Sequence, residues 1–183
     1  MDNLGFIKTA IKDYKVGAIT KTSSFVVKRI LDCIKPEYKY FVEYGPGDGV
    51  LTKEILRIMP KDGKLVGIER NADFFSELRN IKDKRFLAVH GDIVDVTENL
   101  KSLRLPRIDF VVSNVPFTIM SGRIREKIVE NTCGAMSPGG TFVVFQYSLL
   151  LKPIIKKVFN NFSSCIEIRN LPPYFIMTAE KKD

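Results

Sequence analysis

Three glycines at alternate positions, in Glu43-Tyr-Gly45-Pro46-Gly47-Asp-Gly49, follow directly on the apolar run Tyr40-Phe-Val-Glu-Tyr44. Glycines this close let a backbone turn sharply and approach a ligand with no Cβ in the way. A dinucleotide loop is spaced GxGxxG and receives a pyrophosphate at a helix N-terminus. Here the spacing is GxGxG, and the Glu43 carboxylate, two residues before the first glycine, opposes a diphosphate and suits a cationic ligand, directly or through water. Glu69 ends a second apolar run 20 residues after Gly49, a position from which an acid takes ribose hydroxyls. A third run ends in Gly91-Asp92-Ile93, where Asp92 can accept from an adenine amino group while Ile93 packs on the ring. Three acids at three successive strand ends describe an adenosine with a cationic tail, and S-adenosylmethionine fits that description. Glu43, Gly45, Pro46, Gly47, Gly49, Glu69, Arg70, Asp92, Ile93 and Asn114 are the residues assigned to it.

A fourth apolar run, Asp109-Phe-Val-Val-Ser113, leads into Asn114-Val-Pro116-Phe117. The Asn114 side-chain oxygen can accept from a substrate amine, and Pro116 removes a backbone donor while leaving a neighbouring carbonyl to accept. Phe117 offers an apolar or π face to a cation or a base. A phenol such as Tyr14 or Tyr147, or water, is available to help an ammonium lose its proton. Catalytic roles are therefore expected at Asn114, Pro116, Phe117, Tyr14 and Tyr147. Ile119 and Met120 extend the same loop, as core packing or as the lining of a substrate channel. The single histidine, His90, is expected to be a satisfied or partly exposed side chain rather than a base.

These residues need elements to hold them at one edge of a sheet. Strands are expected at 40–44, 64–69, 85–90, 109–113 and 141–146, alternating with helices at 51–58, 72–80 and 124–135. That rhythm gives a mostly parallel α/β sheet with helices on both faces, doubly wound and Rossmann-like. A helix at 150–159 and strands at 165–169 and 174–178 follow, the last two joined by the short turn Asn170-Leu-Pro-Pro173 and expected to pair antiparallel. Before the sheet, Leu4, Ile7, Ile11 and Tyr14 recur at helical spacing among Lys8, Lys12 and Lys15, which makes an amphipathic basic helix. Thr22-Ser-Ser caps a second helix over 25–34, stopped by Pro36.

The chain has 183 residues and a formal net charge of +8, of which residues 1–40 carry +4 and residues 151–183 carry +3. Basic ends around a nearly neutral middle favour an anionic partner, either phosphate backbone or lipid headgroup. No apolar stretch approaches the roughly 18 residues of a spanning helix, and the N-terminus has no signal-peptide pattern. A cytoplasmic, peripherally membrane-associated protein is expected. Cys33, Cys133 and Cys165 are in no metal or disulfide spacing, so neither a zinc site nor a disulfide framework is expected. The absence of repeats and linkers points to a single domain over 1–183, with a basic helical lid or membrane-docking segment at 1–38 and the catalytic sheet at 39–183.

With those residues in view, the chain resembles class I S-adenosylmethionine-dependent methyltransferases along nearly its whole length. Within them it is most similar to the small bacterial phospholipid N-methyltransferases that methylate phosphatidylethanolamine. The segments that carry the resemblance are Tyr14-Lys-Val-Gly17-Ala-Ile, Val42 to Gly49, Ser137-Pro-Gly-Gly140 through Tyr147, and Asn170-Leu-Pro-Pro173. The resemblance implies a seven-stranded sheet with an antiparallel last strand and an N-terminal amphipathic helix lying on the membrane. Two places depart from it. Lys21 stands where a proline is usual, and Ser113-Asn114-Val-Pro116-Phe117 is similar instead to the Asn-hydrophobic-Pro-aromatic motif of ribosomal RNA adenine dimethylases. Those enzymes carry an additional helical domain for RNA, whereas this chain stops at Asp183. The expectation is an N-methyltransferase acting on phosphatidylethanolamine-type lipids at an anionic membrane surface. RNA or DNA adenine N6-methylation is the alternative, and a non-catalytic cofactor-binding or membrane-adaptor protein a third.

Overall fold

The computed structural model describes residues 22–182, so the basic helix expected at 2–15 and Tyr14 lie outside the described residues. The strands are β1 (Tyr40–Tyr44), β2 (Lys64–Glu69), β3 (Phe86–His90), β4 (Phe110–Ser113), β5 (Thr141–Gln146), β6 (Asn160–Glu167) and β7 (Tyr174–Glu180). The helices are α1 (Ser24–Leu31), α2 (Val50–Ile58), α3 (Ala72–Leu78), α4 (Ile93–Glu98), α5 (Gly122–Ala135) and α6 (Lys152–Val158). One seven-stranded sheet runs in the order β3-β2-β1-β4-β5-β7-β6, and β7 alone runs against the direction of the other six strands.

The central strands read as continuous apolar runs because both faces are covered. Val42, Tyr44, Val111 and Val144 pack with Ile128 and Val129 of α5 and Ile155 of α6. On the other face Phe41, Phe110, Val112 and Val143 pack with Val26 and Ile30 of α1 and Ile55 of α2. The chain leaves β1 towards β2 on one side, while β4 flanks β1 on the other and continues to β5, so strand order reverses between β1 and β4. Ligands bind at such a switch point, outside the carboxyl ends of the strands.

Two elements differ from expectation. β6 begins at Asn160 rather than at residue 165, because Asn160-Asn-Phe-Ser-Ser164 pairs with the end of β7 across a bulge. As an edge strand it is exposed on both faces and lacks the apolar pattern by which buried strands are recognised. Helix α4 was not expected at all. Asp92 caps it, accepting from the Val94 N–H at 2.9 Å.

Candidate active site

The loop after β1 and the loop after β4 meet through missing side chains. Gly45 has φ +70°, and a Cβ on it would stand 2.9 Å from Val115 Cγ1. Gly47 has φ +56° with open space where a Cβ would be, and it opens on the pocket. Both conformations are ones that L side chains rarely adopt. Glu69, at the end of β2, holds the loop from beneath. Its Oε2 accepts from the Gly47 N–H at 3.1 Å and its Oε1 from the Asn71 N–H at 2.8 Å. A carboxylate has about four acceptor positions, so two remain for a ligand.

The pocket has two halves. Ends of β2 and β3 supply Ile68, Glu69, Arg70, Phe74, Asp92 and Ile93, an acid-edged slot with apolar walls. Asp92 Oδ1 is spent on the α4 cap, and its Oδ2 faces Arg70 Nη1 at 3.4 Å. Ends of β4, β5 and β7 supply Asn114, Pro116, Gln146, Tyr147 and Tyr174. The Tyr147 and Tyr174 rings are stacked, centroids 4.4 Å apart at 11°. Burial and the neighbouring Tyr147 push the Tyr174 phenol well above its ordinary value, against a hydrogen bond with Asn114. That phenol therefore stays protonated at neutral pH. Gln146 is 6% exposed, and its Nε2 donates to the Ser148 carbonyl at 2.8 Å. A carbonyl only accepts, so the amide orientation is fixed and Oε1 is left buried without a hydrogen-bond partner.

Of the residues singled out in the sequence, Gly45, Gly47, Glu69, Arg70, Asp92, Ile93, Asn114, Pro116 and Tyr147 come together in the pocket wall, and Ile119 and Met120 join them. Four do not. Glu43 is buried beneath the loop, accepting from Thr52 Oγ1 at 2.7 Å, and burial pushes its carboxyl up to about 7. Pro46 packs over Gly67 of β2, and Gly49 starts α2 against Leu78. Phe117 is 0% exposed in the core, because the short 3-10 turn at 117–119 directs its ring inward. Gln146 and Tyr174 were missed. Antiparallel pairing of β7 with β5 sets Gln146 opposite Phe175, which brings the first residue of β7 to the pocket. His90 is exposed, stacked on Phe75 with Nε2 3.2 Å from the Arg70 carbonyl.

The sequence model of the ribosomal RNA adenine dimethylase family matches residues 15–164. The chain belongs to that family. It is an S-adenosylmethionine-dependent methyltransferase of class I. An ornithine lipid N-methyltransferase from Singulisphaera acidiphila is 30% identical over 135 residues, covering 72% of this methyltransferase and 70% of that protein. The ribosomal RNA small subunit methyltransferase A of Crocosphaera subtropica is 27% identical over 122 residues, 64% of this chain and 43% of its own length. The chain thus spans under half of that RNA-modifying relative. Among solved structures, precorrin-6y C5,15-methyltransferase from Geobacter metallireducens superimposes with TM-score 0.70 at 20% identity, covering 89% of this chain and 91% of that one. The N-methyltransferase NodS from Bradyrhizobium japonicum, in complex with S-adenosyl-l-homocysteine, gives TM-score 0.67 at 11% identity, covering 89% and 90%. The donor set fits the cofactor: free acceptor positions on Glu69, apolar walls for a base, and open backbone at Gly47. No metal-binding cluster occurs among the described residues, and no helix among them is long and apolar enough to cross a membrane.

Proposed function

We propose that this methyltransferase transfers methyl groups to the amine of an aminolipid headgroup, with residues 39–183 as its catalytic sheet and residues 1–38 as a basic docking segment. The observation that carries the reading is the composition of the acceptor half of the pocket. Val115, Ile119 and Met120 make it apolar, the Asn114 and Gln146 amides and two stacked phenol rings supply its polar edges, and among the described residues the one cation in the wall is Arg70, in the other half. A substrate held through phosphates would call for cations there; an amine between acyl chains and cofactor calls for acceptors and aromatic faces. The relative named as an ornithine lipid N-methyltransferase supports it.

When bound, S-adenosylmethionine supplies a methyl group on a sulfonium. Glu69 would hold the ribose and Ile68, Phe74 and Ile93 the base, while Gly45 and Gly47 give room for the tail. Asn114 and the neighbouring backbone carbonyls orient the amine so that its lone pair faces the methyl. Held there, the amine would accept the methyl group that the cofactor supplies, and its surplus proton would pass to water. Water is taken as the acceptor because, among the described residues, this half of the wall has neither carboxylate nor imidazole, and Tyr174 holds its own proton. Alignment of this kind supplies up to roughly 7–11 kcal/mol of a barrier.

The family match and Asn114-Val-Pro-Phe117 favour adenine N6 as a second reading. Phe117, however, is buried in the core and presents no face to a base in the pocket. Full-length protein is incubated with methyl-labelled S-adenosylmethionine, vesicles of phosphatidylethanolamine and phosphatidylglycerol, ornithine lipid in the same vesicles, and ribosomal RNA in parallel. Label in the lipid extract is expected; label in RNA alone overturns the reading.

A further inference from the structure

Seven large hydrophobic side chains are exposed among the described residues, and five of them, Phe25, Leu150, Ile166, Ile168 and Leu171, stand at one edge of the molecule. The topology says which edge. β7 is antiparallel to β5 and β6 is antiparallel to β7, so β6 runs with the parallel strands and ends where they end, at the pocket. Leu150 follows β5 at this edge, and the 168–173 turn leads straight into Tyr174 in the pocket wall. Phe25 joins them through α1, whose start is tied to the turn by the Ser23 N–H donating to Asn170 Oδ1 at 3.0 Å. Leu171 is 87% exposed and Ile168 71%, with nothing in the described chain covering either. An apolar cluster this exposed marks an interaction surface.

Its surroundings identify the partner. The Arg169 guanidinium lies 4.1 Å over the Phe25 ring, and Arg29 and Arg169 share the single buried carboxylate of Glu167. Lys28, three residues after Phe25 on α1, and Lys152, two residues after Leu150, add further cations close in sequence to the apolar side chains. Residues 1–21, with Lys8, Lys12, Lys15 and Lys21, join the described chain here, at Thr22. Apolar side chains set among cations match the boundary between acyl chains and anionic headgroups. We propose that the 166–171 segment, with Phe25 and Leu150, inserts into an anionic bilayer and sets the pocket mouth on the lipid surface. This rests on the aminolipid reading for its purpose but not for its test.

The test compares full-length wild type with Ile168→Glu/Leu171→Glu, and with Ile58→Glu/Leu87→Glu, which places the same charges on the two exposed apolar residues elsewhere. Binding is read by co-sedimentation with vesicles of phosphatidylethanolamine and phosphatidylglycerol, and S-adenosylhomocysteine affinity reports folding. Partitioning of the first variant is expected to fall about tenfold or more, with that of the second unchanged. Methylation of lipid in detergent micelles, where no bilayer need be entered, is expected to survive in both. Equal vesicle binding by wild type and Ile168→Glu/Leu171→Glu overturns the proposal, as does wild type that ignores vesicles. So does a loss confined to self-association in sedimentation velocity, which would make the occupant a second copy. Wild type that binds vesicles through this edge yet methylates only RNA would sink the aminolipid reading and leave the docking surface standing.

Discussion

At the amino end of the strands, Asp109 accepts from the backbone N–H groups of Lys39 and Tyr40 and pairs with Arg107. Nearby, Tyr38 bonds Thr141 and the Gly139 carbonyl, and Arg85 ties the carbonyls of Leu56, Met59 and Pro60 to Asp83. At the carboxyl end the polar groups are buried on different terms. Glu43 is buried with one hydroxyl donor, Gln146 Oε1 has none, and Glu69 and Asp92 divide themselves between loop N–H groups and the pocket. A buried polar group with its partners in place stabilises the fold, and one without them costs free energy until a ligand arrives. The two ends of one sheet therefore divide the work: one closes the fold and the other keeps capacity for binding.

Mutations at the two ends should then act with opposite sign. The largest effect is expected at Glu43. Its carboxyl is raised to about 7 by burial, so the folded state keeps a proton that the unfolded chain releases above its ordinary value of 4.5. Stability from this group is complete below about pH 4.5 and is lost as pH rises to about 7, a fall of roughly 3 kcal/mol. Glu43→Gln, which keeps an acceptor for Thr52, should remove that slope and be the more stable protein at pH 8, read by urea midpoints from pH 5 to 8. A wild-type midpoint flat across that range would show that Glu43 is as well served as Asp109. At the other end, Asp109→Ala strands two backbone N–H groups and should cost about 2 kcal/mol at pH 7. Cofactor affinity of the folded fraction should stay within about twofold, since Asp109 is remote from the pocket. A larger loss of affinity would mean that the ends are coupled through β4.

Much of this division was legible in the sequence, and the exceptions share a cause. Runs such as Tyr40–Tyr44 and Thr141–Gln146 declare themselves because strands covered on both faces must be apolar throughout. Gly45, Glu69 and Asp92 declare the pocket because local spacing places each at a strand end. Burial direction, however, is not local. Phe117 turns into the core and Glu43 beneath the loop because of how the following turn and helix pack, which spacing does not encode. Tyr174 reaches the pocket only through the antiparallel pairing of β7 with β5, a contact between distant segments. β6 escaped because an exposed edge strand need not be apolar.

The smallest change in stability is expected at Gln146, and it discriminates best between the two ends. Gln146→Met removes the bond to Ser148, a loss, and the unpaired Oε1, a gain. These offset, so stability should move by less than about 1 kcal/mol. Were Oε1 merely an uncompensated atom, catalysis would be untouched as well. If instead it is held ready for an amine N–H in the acceptor half, the charge-assisted bond it would make is lost with it, and kcat/KM for the amine substrate should fall about tenfold. S-adenosylhomocysteine binding should not change, because the residues proposed to hold that ligand, Glu69, Asp92 and the glycine loop, lie in the other half of the pocket. A Met variant with wild-type kcat/KM would remove Gln146 from the binding capacity of the carboxyl end and leave Asn114 and the stacked tyrosines to orient the amine.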